Sequence, residues 1–193
     1  SLYKGISIIS DGSATIMNST VRDNGSEGIY VEDASLNISA SEIGDNGYAG
    51  VYLRGNSAYS DLVVIDGCSI QGNGEAGVEI HPVSDVFQPT VRNNNILNNV
   101  HEPIYVRYST GSGLPNLSNN TISGNGYGNG IGLSGSIGQN MTLSDNYELI
   151  YTIRDTLVVY DDVTITVDPG VIVKFENSSH MSVLGELNAQ GTS

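Results

Sequence analysis

Short apolar runs alternate with polar residues along most of the chain, as in Ile29-Tyr30-Val31-Glu32 and Val51-Tyr52-Leu53-Arg54. A period of two marks strands with one buried face. Each run follows a glycine-rich turn. Asp23-Asn24-Gly25-Ser26-Glu27-Gly28 precedes Ile29-Tyr30-Val31, and Asp45-Asn46-Gly47-Tyr48-Ala49-Gly50 precedes Val51-Tyr52-Leu53. Gly72-Asn73-Gly74-Glu75-Ala76-Gly77 precedes Val78-Glu79-Ile80, a weaker copy ends at Pro103 before Ile104-Tyr105-Val106, and a fifth runs from Gly124 to Gly130 before Ile131. No segment sustains a period of 3.6, and a short unit holding several strands leaves no room for a crossover helix of about a dozen residues.

Two further columns keep the same register. Val21, Ile43, Ile70, Ile96 and Ile122 lie three places before the turn asparagines, and Ile16, Ile38, Ile65, Val91 and Leu117 lie eight places before. All three columns advance in steps of 22, 27, 26 and 26 residues. Length variation therefore falls between the turn and the next Ile column, at 56–61, 82–88 and 109–115. A single unit of this size cannot bury its apolar face. Stacked units can, with each strand pairing in parallel with its equivalent one repeat later. At ~4.8 Å per strand, about eight coils make a rod ~40 Å long.

The motif small-x-Ile-x-x-Asn-Gly followed by Gly-Ile/Val-x-Val resembles the right-handed parallel β-helix repeat of pectate-lyase-like and surface proteins, over roughly residues 5–149. The resemblance implies an all-β fold, a right-handed single-stranded parallel β-helix (solenoid). It also implies an internal ladder in which Asn24, Asn46, Asn73, Asn99 and Asn125 hydrogen-bond between coils, which suits buried amides in need of partners. Residues 150–193 read as divergent coils, with Asp168-Pro169-Gly170 as a turn between apolar runs. They resemble coils that open such helices, so a second array beginning near 150 within a longer chain is expected beside the simpler expectation of one rod.

Acidic residues number 21 against 7 basic, a net charge of −14. That balance argues against nucleic-acid partners, which need a basic surface. No run approaches the 18 or so apolar residues of a membrane span. An extracellular or cell-surface location is expected. The one cysteine, Cys68, shares a column with Ser19, Ser41, Asn94 and Asn120 on the inward face, and reads as a small core residue rather than a nucleophile. Sequons stand at Asn18, Asn37, Asn116, Asn119, Asn140 and Asn177.

Candidate chemistry is confined to the outward positions after each glycine turn. One column holds Tyr30, Tyr52, Glu79, Tyr105 and Gly132, and the next holds Glu32, Arg54, His81, Arg107 and Ser134. In the middle coils these bring Tyr52, Arg54, Glu79, His81, Tyr105 and Arg107 within ~15 Å. With Tyr30 they form a candidate carbohydrate-binding face, in which a flat sugar stacks on tyrosine while arginine grips carboxylate or hydroxyl groups. Tyr48 and Tyr127 border it from the turns. The competing expectation is a solvated sheet surface stabilised by cross-strand pairs such as Tyr30 with Tyr52 or Glu79 with Arg107.

The resemblance also brings polysaccharide lyases, hydrolases and epimerases into view, for which Glu79, His81 and Arg107 are the candidate catalytic groups. A hydrolase needs two carboxylates about 5–10 Å apart, and Glu32 lies two coils from Glu79. The paired aspartates of polygalacturonases and the aspartate cluster of calcium pectate lyases are missing. Calcium is the one cofactor to weigh, and no EF-hand or nonapeptide spacing marks a site for it. The leading expectation is a non-catalytic extracellular scaffold with glycan recognition. The alternative is a fragment of an enzyme acting on acidic glycans.

Overall fold

The computed structural model of the protein describes residues 3–145 and 149–191. It is an all-β parallel solenoid of about eight coils, with a short 3-10 helix at Ser57–Leu62. The long first sheet contains, in spatial order, Ile6–Ile9, Ile29–Glu32, Val51–Gly55, Val78–Pro82, Ile104–Tyr108, Ile131–Ile137, Tyr151–Val159 and Val173–Phe175. Two five-stranded sheets form the other walls of the first five coils. One contains Ser13–Met17 through Asn116–Ser118, and the other Thr20–Arg22 through Thr121–Ser123. A three-stranded sheet, Met141–Leu143, Thr164–Val167 and Glu186–Ala189, walls the last coils.

The pairing follows the sequence columns. Val21, Ile43, Ile70, Ile96 and Ile122 are partners across the third sheet, and Ile16, Ile38, Ile65, Val91 and Leu117 across the second. Together with Ile29, Val51, Val78 and Ile104 they fill the interior. Each strand therefore buries one face against the other walls of its own coil and both edges against its neighbours, and the rod has one continuous core.

The expected ladder is present. Asn24, Asn46, Asn73 and Asn99 each donate Nδ2–H to Oδ1 of the next asparagine at 2.9–3.0 Å. The backbone N–H of each donates to the same oxygen at 3.0–3.2 Å. Asn125 ends the series by donating to Oδ1 of Asn129 in its own coil. A second ladder occupies the Cys68 column. Cys68 N–H donates to Asn94 Oδ1 at 2.8 Å, and Asn94 Nδ2–H to Asn120 Oδ1 at 3.1 Å. Cys68 is 1% exposed, and burial pushes its thiol pKa up. It is a core residue standing in an asparagine column.

The corners between sheets need left-handed backbone. One runs Asn18, Ala40, Gly67, Asn93 and Asn119, and another Asp23, Asp45, Gly72, Asn98 and Gly124, all with φ between 45° and 68°. Asn, Asp and Gly tolerate this region best, which is why they recur at these corners.

Candidate functional site

Alternation along the first sheet turns Ile29 and Val31, Val51 and Leu53, Val78 and Ile80 inward, where all are buried. The residues between them must face out. The cross-strand register joins Tyr30 to Tyr52, Tyr52 to Glu79, Glu79 to Tyr105 and Tyr105 to Gly132. It joins Glu32 to Arg54, Arg54 to His81 and Arg107 to Ser134. The seven candidate residues thus lie on one wall in adjacent coils.

These side chains are occupied with one another. The rings of Tyr30 and Tyr52 stack 4.9 Å apart and 7° from parallel, which is the coil spacing. Lys4 Nζ lies 3.0 Å from the centroid of the Tyr30 ring, and His81 lies 4.7 Å from that of Tyr52. Both faces of both rings are therefore covered, and only ring edges and hydroxyls meet solvent. Face-on stacking of a sugar, expected from the tyrosine column, has no open ring here.

The polar groups form two closed sets. Tyr30 Oη–H donates to Glu32 at 2.7 Å, and Arg54 Nη1 pairs with the other oxygen of that carboxylate. These bonds hold the Glu32 pKa below the usual carboxylate range, with the tyrosine the larger contributor. Burial and the bond to Glu32 push the Tyr30 pKa up. In the second set His81 Nε2 lies 2.8 Å from Glu79 Oε1, and Tyr52 Oη lies 3.1 Å from His81 Nδ1. A carboxylate only accepts, so His81 donates from Nε2, and its Nδ1 shares a hydrogen bond with the Tyr52 hydroxyl. Burial, then the nearby Glu79, push the Tyr52 pKa up to about 12. Glu79 thus pairs with His81, not with Arg107. Arg107 is exposed, with no hydrogen bond or ion pair to any described residue.

Tyr105 departs from the rest. It is 8% exposed, because Arg154 lays its guanidinium over the ring, 4.7 Å from the centroid. The Tyr105 hydroxyl is 2.5 Å from Ser134 Oγ. Arg154 also sits 5.0 Å from the Tyr127 ring. Its Nη1 bonds Glu102 Oε2 at 3.0 Å, and its Nε lies 3.7 Å from Glu176.

This second cluster was not expected from the columns. Glu102 is fully buried and its Oε1 has no partner. It fills space left by Gly132, where an added Cβ would come within 2.8 Å of Oε1. The sequence signal was weak: Glu102 stands in the position held by Ala49 and Ala76 in the two preceding coils, but Glu27 holds it in the first. Burial outweighs Arg154 and raises the Glu102 pKa from 4.5 to about 7. A carboxyl whose folded pKa lies above its unfolded one stabilises the fold through its bound proton below about pH 4.5 and loses that contribution as pH rises through about 7. Glu102→Gln should remove this slope, so wild-type stability relative to the variant should fall by up to about 3 kcal/mol across that window. Denaturant midpoints measured from pH 4 to 8 test this; parallel pH profiles would contradict it.

Among the described residues no three His, Cys, Asp or Glu side chains converge to hold a metal ion, and no helix is long and apolar enough to cross a membrane. The sequence model described as right-handed β-helix region matches residues 4–147. No curated protein and no solved structure matches the chain.

Proposed function

Because the chain belongs to the right-handed β-helix family, we propose that it serves as a non-catalytic extracellular scaffold that recognises carbohydrate on the outward face of its long sheet. The observation that carries the scaffold role is the mutual pairing of that face. Tyr30, Glu32 and Arg54 satisfy one another, as do Tyr52, His81 and Glu79. Proton-transfer groups held in such pairs brace the sheet; a lyase or hydrolase would need Glu79 or His81 released toward substrate.

Arg107 supports the recognition role. It is exposed, has no hydrogen bond or ion pair among the described residues, and is near enough to Tyr52 and Tyr105 to act on both electrostatically. A sugar carboxylate or vicinal hydroxyls would meet Arg107 head-on and the tyrosine edges from the side. Loss of a hydrogen bond to a charged group costs about 1.5–3 kcal/mol, so Arg107→Ala should weaken binding of an acidic oligosaccharide about tenfold or more. A glycan array followed by titration of the best ligand measures this. Absence of any ligand, or equal affinity for wild type and variant, would remove carbohydrate from the proposal. Ultraviolet-absorbing unsaturated products from uronic-acid polymers would instead favour a lyase.

A further inference from the structure

The chain contains five Asn-Gly pairs: Asn24-Gly25, Asn46-Gly47, Asn73-Gly74, Asn125-Gly126 and Asn129-Gly130. Such a pair can modify itself. The glycine amide nitrogen attacks the asparagine Cγ, the Cγ–Nδ2 bond breaks, and the side-chain nitrogen leaves as ammonia with the proton from the glycine nitrogen. Water then opens the resulting succinimide to aspartate or isoaspartate. No reagent beyond water is consumed. The reaction needs an accessible side chain, a leaving amide that is not held, and a following N–H that is free.

Those conditions separate the five sites sharply. Asn46, Asn73 and Asn125 are buried, and their Nδ2 groups donate hydrogen bonds. The N–H groups of Gly47, Gly74 and Gly126 are bonded to Asn24, Asn46 and Asn99 carbonyls at 2.8–3.0 Å. Asn24 is half-buried and its Nδ2 is held by Asn46. Asn129 is exposed, and its Nδ2 has no hydrogen bond among the described residues. The Gly130 N–H likewise has no partner there, whereas Gly28, Gly50 and Gly77 at the same position donate to Ala49, Ala76 and Glu102 carbonyls. The preceding Gly128 adopts φ 101° in open space, whereas Gly130 is buried against Ile150, so the freedom needed for ring closure lies on the Asn129 side of the turn.

We propose that Asn129 is a self-modification site, converting to aspartate and isoaspartate in the folded protein while the ladder asparagines are protected. The site has a structural consequence. Oδ1 of Asn129 accepts both the N–H and the Nδ2–H of Asn125 at 3.3 Å, and so terminates the ladder. Isoaspartate routes the backbone through the side-chain carbon and withdraws that acceptor. Older molecules would carry an unfastened ladder end.

The test is peptide mapping by mass spectrometry of the folded protein held at mildly alkaline pH, with isoaspartate quantified at each of the five pairs. Conversion at 129 should exceed that at 46, 73 and 125 at least about tenfold, since reaction at those sites requires local opening. In denaturant the five rates should converge. In the wild type, hydrogen exchange of the Asn125 amide should quicken as isoaspartate accumulates; Asn129→Gln, which moves that acceptor from the outset, should form no product at this position and show no such drift with incubation time. A rate at 129 no faster than at 73 in the folded protein would overturn the proposal. So would an equal rate difference in denaturant, because local sequence and not the fold would then set it.

Discussion

Asn73→Ala should lower stability by about 3–5 kcal/mol, the largest effect of any single polar truncation in the array. Asn73 is fully buried at the middle of the ladder. Its Oδ1 accepts from the N–H and Nδ2 of Asn46, and its Nδ2 donates to Asn99 Oδ1 and the Ile43 carbonyl. Alanine removes all four bonds and leaves buried partners on three sides. Each stranded group costs about 1–3 kcal/mol, offset in part by water entering the gap. A shift in denaturant midpoint at unchanged slope measures the loss. Hydrogen exchange should place the new opening in coils two to four, because stability in stacked repeats is set by neighbour interfaces. A loss under about 1 kcal/mol would mean that the ladder is ornamental to stability.

Gly50→Ala should cost about 2–3 kcal/mol, although it adds one methyl group. A Cβ at Gly50 would come within 2.7 Å of Asn73 Nδ2, 2.8 Å of the Gly77 carbonyl and 2.9 Å of Ile70 Cγ2. Gly28 and Gly77 occupy the same position in adjacent coils and meet the same kinds of atoms. Overpacking of a filled core costs about 1–3 kcal/mol, and here it also displaces a ladder amide. Gly28, Gly50 and Gly77 are thus a packing requirement of the asparagine ladder rather than a turn requirement. The double variant Gly50→Ala with Asn73→Ala should be less destabilised than the sum of the two, since the second truncation clears space for the first. Additive losses, measured in the same denaturant titration, would argue against this coupling.

Much of the rod was legible because stacked coils turn one-dimensional spacing into three-dimensional adjacency. The Ile and Asn columns pair as their spacing requires, and Cys68 falls inside for the same reason. The outward columns were also placed correctly, but the state of their side chains was not. Strand spacing of ~4.8 Å equals the thickness of a ring stack, so tyrosines in adjacent coils must cover each other's faces. The burial of Tyr105 was beyond column reasoning. Arg154, Asp155 and Thr156 stand opposite the single residue Ser134, where the register shifts. Gly135 at φ 89° and Asp155 at φ 53° accommodate the bulge. An irregularity of that kind breaks the period on which the columns rest, and it frees Arg154 to lean back over an earlier coil. Glu102 was hard to see, since its column already holds Glu27 beside Ala49 and Ala76.

The asparagine ladder gives the rod an electrical sense. In every step the amide N–H of one coil points toward the oxygen of the next coil along the chain, and the Asn94–Asn120 step points the same way. Parallel strands direct their backbone dipoles alternately and largely cancel, whereas these side-chain amides, of a moment comparable to the ~3.5 D of a peptide unit, add head to tail. The coil containing Asn24 is the negative pole, and each further coil lengthens the dipole. Orientation of the rods in a pulsed electric field should therefore exceed what net charge asymmetry supplies, and should diminish when a central asparagine is removed.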